Sequence, residues 1–486
     1  MANYKHVRKE YADAEKSWQL VKDCVAGSKA VKARRTLYLP MPDPTNDSEQ
    51  NLADYDALIA RAMYLNITGR TRQGLIGAVF RKTAEVDLPE SVQYLIENAS
   101  GDGTSLEQLS KEAVGEDLDT GRGGFFVDYP TKEMPEGLRP TRAQTAGDKA
   151  HIHIYEALSI INWREDVIDG VRKLTMVVLA EVYNTENDDE FVFEVKNQYR
   201  ALTLEDGKYR HRVWREGENA EQPVLDVWPT DYTGKAFDHI PFHFFGAESN
   251  DSRIDKAPLE DLAEVNILHY GNSATVEESG FISSQPTVFF TTDIEHSEFE
   301  KWNPNGIQVG SKRGYSLGKN GSAMMLQAQE GQLARTLMLD KENQMLMIGA
   351  RIVQQASNQE TAEAARIRYS SDNSVLGTIA GNVSEALKLA ILDAQLYMTG
   401  TVNEEGTVFW LNQEFFDATL TSQDVLALIQ AWQQGFVAKA DVRTKLRQTG
   451  WLEADRNDDD IDADRENEPP VDGGDTETEL ETVDEE

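Results

Sequence analysis

Three stretches of this 486-residue chain carry residue types that could do chemistry, and each falls short of the pattern its chemistry needs. The run Gly310-Ser311-Lys312-Arg313-Gly314-Tyr315-Ser316-Leu317-Gly318-Lys319-Asn320-Gly321 is rich in glycine and cations, as a loop that cradles phosphate must be. Such a loop needs four residues between its glycines and Ser or Thr after the lysine. Here three residues separate Gly314 from Gly318, and Asn320 follows Lys319. His151 and His153 share a face if their segment is a strand, the minimum for a two-histidine metal site, but no third ligand is recognisable nearby. Asp458-Asp459-Asp460-Ile461-Asp462-Ala463-Asp464 could attract cations, yet it lacks the turn glycine and terminal glutamate of a calcium loop. No Gly-x-Ser-x-Gly elbow and no His-Glu-x-x-His helix occurs. The residues therefore assign no catalytic group, cofactor or metal ligand, and the chain is not read as an enzyme.

The elements that carry these stretches are more informative than the stretches themselves. Leu259, Leu262, Val265, Asn266, Tyr270, Ser273 and Val276 recur at helical spacing, with Pro258 where a first-turn proline costs no hydrogen bond. That helix is expected to end near Ser283 or Ser284, ahead of Pro286. Thr287 to Thr292 then reads as a strand, Trp302-Asn303-Pro304-Asn305-Gly306 as a turn, and Ile307-Gln308-Val309 as a second strand. Helix resumes near Gln329, with Leu333, Leu337, Asp340, Gln344, Met347, Ile348, Arg351 and Ile352 spaced by three and four. Its faces are mixed, so it is either solvated or packed against copies of itself around a wet centre. A polar break follows Gln355, and helix is expected again from Ala362 to Thr399. Two helices that leave and rejoin a body with a β tip between them make a stalk.

Around the stalk, the first 120 residues read as helical. Val7, Tyr11, Ala14, Trp18, Val21 and Cys24 mark one helix, 52–66 and 70–80 two more, and Ser105 with Gln108 gives a capping-box signature for the next. After Gly123-Gly124 the period changes to that of strands, at 125–127, 151–155, 160–163, 175–183, 191–195 and 209–214, separated by turns such as Glu205-Asp206-Gly207. Thr407 to Leu411 is a further strand, and 422–432 and 439–448 are short amphipathic helices. From Ala454 the acidic sequence without aromatic residues cannot bury enough apolar surface to offset its ordering entropy, and is read as disordered. Trp18, Trp163 and Trp432 are expected in subunit cores.

Length implies more than one packed unit. No apolar run approaches the roughly 20 residues needed to cross a bilayer, and no secretory signal opens the chain. The single cysteine, Cys24, cannot form an internal disulfide and fits a reducing cytoplasm as a small core residue. The net charge is −36; residues 453–486 hold 17 acidic residues against Arg456 and Arg465, a net of −15, which leaves −21 for the rest. A protein that grips DNA neutralises phosphates with Lys and Arg, and this chain lacks the charge for that. Two explanations fit the excess: a conduit wall that lets DNA slide without sticking, or simple solubility.

At Val7-Arg8-Lys9-Glu10-Tyr11, Trp18 to Gly27, Tyr38-Leu39-Pro40, Arg61 to Thr71, Gly74 to Lys82, Gly121 to Pro130, Ile348-Gly349-Ala350-Arg351 and Glu360-Thr361-Ala362 the chain resembles the portal proteins of tailed bacteriophages, the head-to-tail connectors. The resemblance is colinear over 4–450. It implies an α+β, multidomain, portal-like fold: an N-terminal wing at 1–257 (helical to 120, β-rich from 121), a first stem helix at 258–284, a small β-rich clip at 285–327 and a second stem helix at 328–354. A tunnel-loop region at 355–371, a wing return helix and strand at 372–421, helical crown at 422–452 and the disordered acidic tail at 453–486 would follow.

The resemblance further implies a homo-oligomeric ring, usually a dodecamer, at a unique capsid vertex of a virion assembled in the host cytoplasm. Such rings conduct double-stranded DNA during packaging and ejection. They dock the terminase large subunit, then the head-completion and tail adaptor proteins, among major capsid and scaffolding proteins, and touch no membrane. Ser357, Asn358, Gln359, Glu360 and Thr361 would project into the channel, with Arg366 and Arg368 behind them; alternatively these arginines pair with Glu360 and Glu363 in an ordinary helix connection. Lys312, Arg313 and Lys319 would be clip cations facing the motor or adaptor, or plain solvated loop charges. The rival readings are another virion structural protein, such as a capsid or tail subunit, and an enzyme with an unrecognised site.

Overall fold

Local signals in the first 120 residues set five helices. The computed structural model describes residues 4–130, 147–185, 191–216, 222–284, 287–302, 320–326, 332–353 and 375–413, with 438–448 and scattered positions elsewhere beyond 414. The chain divides into two units, Met1–Gln413 and Glu414–Glu486. In the first unit, helices α1 (Lys9–Ala26), α2 (Ser28–Ala33), α3 (Glu49–Arg61), α4 (Ile67–Val79) and α5 (Leu106–Thr120) form a helical layer. Their starts follow side-chain capping: Ser48 accepts from the Asn51 amide, Asn66 from that of Gly69, and Ser105 and Gln108 form the reciprocal box expected from sequence. The short strand β1 (Glu85–Asp87) lies between α4 and α5.

Helix α5 stops at Gly121, whose φ of 69° is the left-handed conformation that ends a helix without a Cβ penalty. The chain turns at once into β2 (Arg122–Asp128), the centre of an antiparallel sheet with β3 (His151–Glu156) on one side and β9 (Phe242–Gly246) on the other. The second sheet is an antiparallel meander of β4 (Ile160–Ile168), β5 (Val171–Thr185), β6 (Glu194–Glu205), β7 (Lys208–Arg215) and β8 (Leu225–Val227). Its tight turns are Asp169-Gly170 and Asp206-Gly207, with positive φ at both residues as two-residue hairpins require. Trp18 and Trp163 are buried in this unit.

Beyond β9 the chain runs through α6 (Glu260–Ser283), β10 (Thr287–Thr291), α7 (His296–Trp302), β11 (Ser322–Leu326) and α8 (Gln332–Val353). Strands β10 and β11 pair antiparallel from Thr287 with Leu326 to Thr291 with Ser322. A β module between two helices is therefore present; the expected strand at Ile307 to Val309 falls outside the described residues, and β11 and α7 were not anticipated. Helix α9 (Val375–Thr399) follows, and β12 (Val408–Trp410) pairs with β1. By length and composition α9 would suffice to cross a membrane. Here it is a core helix, with Ile379, Val383, Leu387, Ile391 and Tyr397 buried, and Ser384 Oγ accepting from the Leu411 amide at 2.9 Å. Helices and antiparallel strands in separate layers make the fold α+β.

In the second unit, α10 (Lys439–Gln448) has the bounds read from sequence. Trp432 is exposed, contrary to the core position expected; its helical spacing with Leu428 and Ile429 marks an apolar stripe but not what covers it. Asp458 and Asp462, inside the stretch read as a disordered tail, are instead in helical turns and form ion pairs with Arg447 and with Lys439 and Arg443 on α10. Acids four residues apart meet a basic strip of the same period, so charge rather than apolar burial engages the start of the acidic sequence.

Gly123 and Gly124 have no room for a side chain. A Cβ on Gly123 would lie 2.2 Å from the Phe245 ring, and one on Gly124 2.2 Å from that of Phe242. Replacing Gly124 by Ala is expected to destabilise the fold by about 1–3 kcal/mol through overpacking, read as a lower denaturant midpoint, whereas Gly74→Ala, inside α4 with open space around it, should stabilise by about 0.5–1 kcal/mol.

Candidate functional site

Helix α6 is bolted to the body along one face. The Asn266 side chain is fully buried, and its Oδ1 accepts from Tyr64 Oη at 3.0 Å, Thr68 Oγ1 at 2.9 Å and the Thr68 amide at 3.3 Å. Its Nδ2 donates to the Leu65 carbonyl at 2.8 Å. A buried amide partnered on both ends fixes orientation, because losing either partner would strand a polar group away from water. Two turns further on, Ser273 Oγ accepts from the Met63 amide at 3.0 Å, and then Glu278 pairs with Arg61, whose guanidinium lies 4.2 Å from the Phe281 ring centre. Nearer the start of α6, the Ala263 carbonyl lies 3.7 Å from Cys24 Sγ. Burial pushes the Cys24 thiol up to about 12, so it packs as a neutral core group.

Helix α8 packs back along α6. The buried His269 Nε2 meets Glu342 Oε1 at 3.1 Å, and Met345 and Gly349 are the buried positions of α8 among those described. Gly349 lies against Thr71 of α4, where a Cβ would sit 3.3 Å from the hydroxyl. Much of the rest of α8 that is described faces water within one chain: Leu333 is 73% exposed, Leu346 and Met347 64% each, and Leu337 and Leu339 are exposed as well. On α6, Leu268 and Ile282 are also exposed. A surface helix ordinarily puts its apolar residues on one core-facing stripe; α8 carries large apolar residues around most of its circumference.

A second cluster ties α9 to the sheet that carries β9. Asp393 of α9 is buried and receives His239 Nε2 at 2.9 Å and His243 Nε2 at 2.7 Å, while His239 Nδ1 lies 3.0 Å from Asp238 Oδ1. Burial opposes the charge on His239, but Asp393 and Asp238 outweigh it and raise the ring to about 9. Burial likewise opposes the Asp393 charge, and His243 and His239 outweigh it, holding the carboxyl at about 2.

The residues singled out as channel-facing, Ser357, Asn358, Gln359, Glu360, Thr361, Arg366 and Arg368, and the clip cations Lys312, Arg313 and Lys319 lie outside the described residues. His151 and His153 do share a face of β3; His151 is taken up against Tyr94, and burial lowers His153. Among the described residues no group of three His, Cys, Asp or Glu side chains is placed to hold a metal ion. Sequence reasoning missed Leu339 and Leu346 on α8, although their spacing of seven was available, and missed the histidine pair on Asp393, for which no local signal exists.

Residues 258–398, the stalk and most of α9, match the family described as Domain of unknown function (DUF4055). No curated protein matches the chain. Among solved structures it is similar to a chain of a "Virion of native gene transfer agent (GTA) particle", at 12% identity and TM-score 0.40, covering 85% of this chain and 98% of that one. It is also similar to a chain of a "Neck of empty GTA particle computed with C6 symmetry", at 10% identity and TM-score 0.37, covering 87% of this chain and 98% of that one.

The histidine pair predicts a pH window for stability. With its folded value raised to about 9, the His239 contribution is full below its ordinary value of 6.5 and is lost as pH rises through about 9. The Asp393 contribution, with a depressed value, is present above 3.8 and lost as pH falls through about 2. Thermal melts from pH 6 to 10 should show a decline for the natural chain that Asp393→Asn flattens; equal slopes in the two proteins would contradict it.

Proposed function

We propose that this chain is the subunit of a phage portal: a ring of about a dozen copies at one capsid vertex through which double-stranded DNA enters and leaves. The same ring would dock the terminase large subunit during packaging and the tail adaptor afterwards. One observation carries the reading. Helix α8 holds Leu333, Leu337, Leu339, Leu346 and Met347 in water when the chain is alone, and fully burying each such side chain is worth roughly 1.5–3 kcal/mol. A helix of this kind is completed by neighbours, and identical neighbours that meet through unlike faces close into a ring when the rotation between them is a whole fraction of a turn.

The remaining features support that geometry. The order α6, β module, α8 gives each copy a two-helix stalk with a β tip, and the hydrogen bonds of Asn266 and Ser273 hold the stalk at a defined angle to the body. The sequence resemblance to portal proteins supplies the DNA and motor parts of the reading. Chemistry is assigned to the motor, with this chain providing the conduit and docking surface.

Native mass spectrometry of the purified chain tests this directly. A closed species of about a dozen copies is expected, and Leu339→Asp with Leu346→Asp should leave a folded monomer, because both positions are exposed within the chain and charges there oppose only the contact between copies. A monomeric natural chain, or a variant that assembles as well as the parent, would contradict the reading.

A further inference from the structure

Successive α-helical residues turn by roughly 100°, which places Leu339 and Leu346 on one line along α8 and Leu333 and Leu337 on another. The two lines stand roughly 150° apart across the exposed side of the helix, opposite Met345 and Gly349, which face the chain's own body. Neighbours related by rotation meet each subunit at the interior angle of a polygon, about 60° for a trimer, about 120° for a hexamer and about 150° for a ring of twelve. The spacing of the two lines thus suits a large ring and not a small one. Each flank also carries a charge of opposite sign: exposed Arg335 beside Leu339, and exposed Asp340 beside Leu333 and Leu337. Among the described residues neither has an ion-pair partner within the chain.

We propose that these flanks are the two unlike halves of one contact between copies, with Arg335, Leu339 and Leu346 of one subunit against Leu333, Leu337 and Asp340 of the next. The assignment rests on the ring reading above and names the surface that closes it. Arg335 and Asp340 are five residues apart, about 7.5 Å along the helix axis, a span that an extended arginine and an aspartate bridge between adjacent parallel helices. The contact combines apolar burial, which supplies affinity, with one charge pair, which fixes register and excludes the reversed arrangement. Between the flanks, Gln332, Thr336 and Asn343 are left on the enclosed side together with the exposed Met347, a strip that offers phosphate hydrogen bonds from its three polar members without a fixed cation.

A charge exchange tests the contact. Arg335→Glu places it against Asp340 of the next copy, and Asp340→Arg places it against Arg335; each single variant should raise the concentration needed for ring assembly on the order of tenfold. Arg335→Glu combined with Asp340→Arg restores the pair in reverse and should assemble as the natural chain does. Circular dichroism checks that all three keep their helix content, since both positions are exposed. Natural rings with a double variant no better than the singles, or singles that assemble normally, would overturn the contact while leaving the ring standing. A natural chain that forms no ring would overturn the ring reading and the contact with it.

Discussion

Helix α8 keeps Leu333, Leu337, Leu339, Leu346 and Met347 exposed in the single chain. Its five large exposed apolar residues, taken at even half burial, represent several kcal/mol per copy, comparable with the net stability of a whole domain. The rest of the first unit makes sense as a mount for that helix. Asn266, Ser273 and Glu278 fasten α6 to the end of α3, the α3–α4 connection and the start of α4, and His269 and Glu342 couple α6 to α8. The residues at risk of exposure are therefore presented at fixed positions. A loose helix with the same sequence would collapse onto its own body; a mounted one waits for a partner.

Charge decides what kind of partner the interior of such an assembly would suit. With 48 Lys and Arg against 84 Asp and Glu, the chain has no excess of cations for phosphate, and several of those described are engaged: Arg72 with Asp119, Arg200 with Glu181, Arg210 with Glu205 and Asp226, Arg443 with Asp462. A wall that is polar and net acidic repels a polyanion weakly at every position instead of holding it at one, which is the behaviour a conduit needs. High charge of one sign also keeps separate copies dispersed until apolar contacts outweigh repulsion, so assembly under this account strengthens with salt.

Much of the fold was legible from local signals because those signals are local in cause. The Ser105–Gln108 box, the Asp206-Gly207 hairpin and the α10 bounds all depend on residues within a few positions of one another. What escaped was set by distant contacts. Strand β11 has an ordinary sequence and becomes a strand by pairing with β10 across a long insertion, and Asn266 looks like any helix position until Tyr64, Leu65 and Thr68 arrive from 200 residues away in sequence. Trp432 shows the converse: periodicity finds an apolar stripe but cannot say whether it faces a core. The exposure of α8 was partly visible, since its faces read as mixed, but Leu339 and Leu346 acquire meaning only once Met345 and Gly349 show which side the body occupies.

In the proposed ring, α8 lines the inside, between its neighbours and the channel. Electron cryomicroscopy of the assembled chain, viewed down the ring axis, tests it most directly. The expected map has a central hole walled by one α8 per copy, with α6 on its outer side and the exposed leucines buried between adjacent copies. A ring with α8 on its outer rim, or an assembly whose stalk leucines remain in solvent, would contradict it.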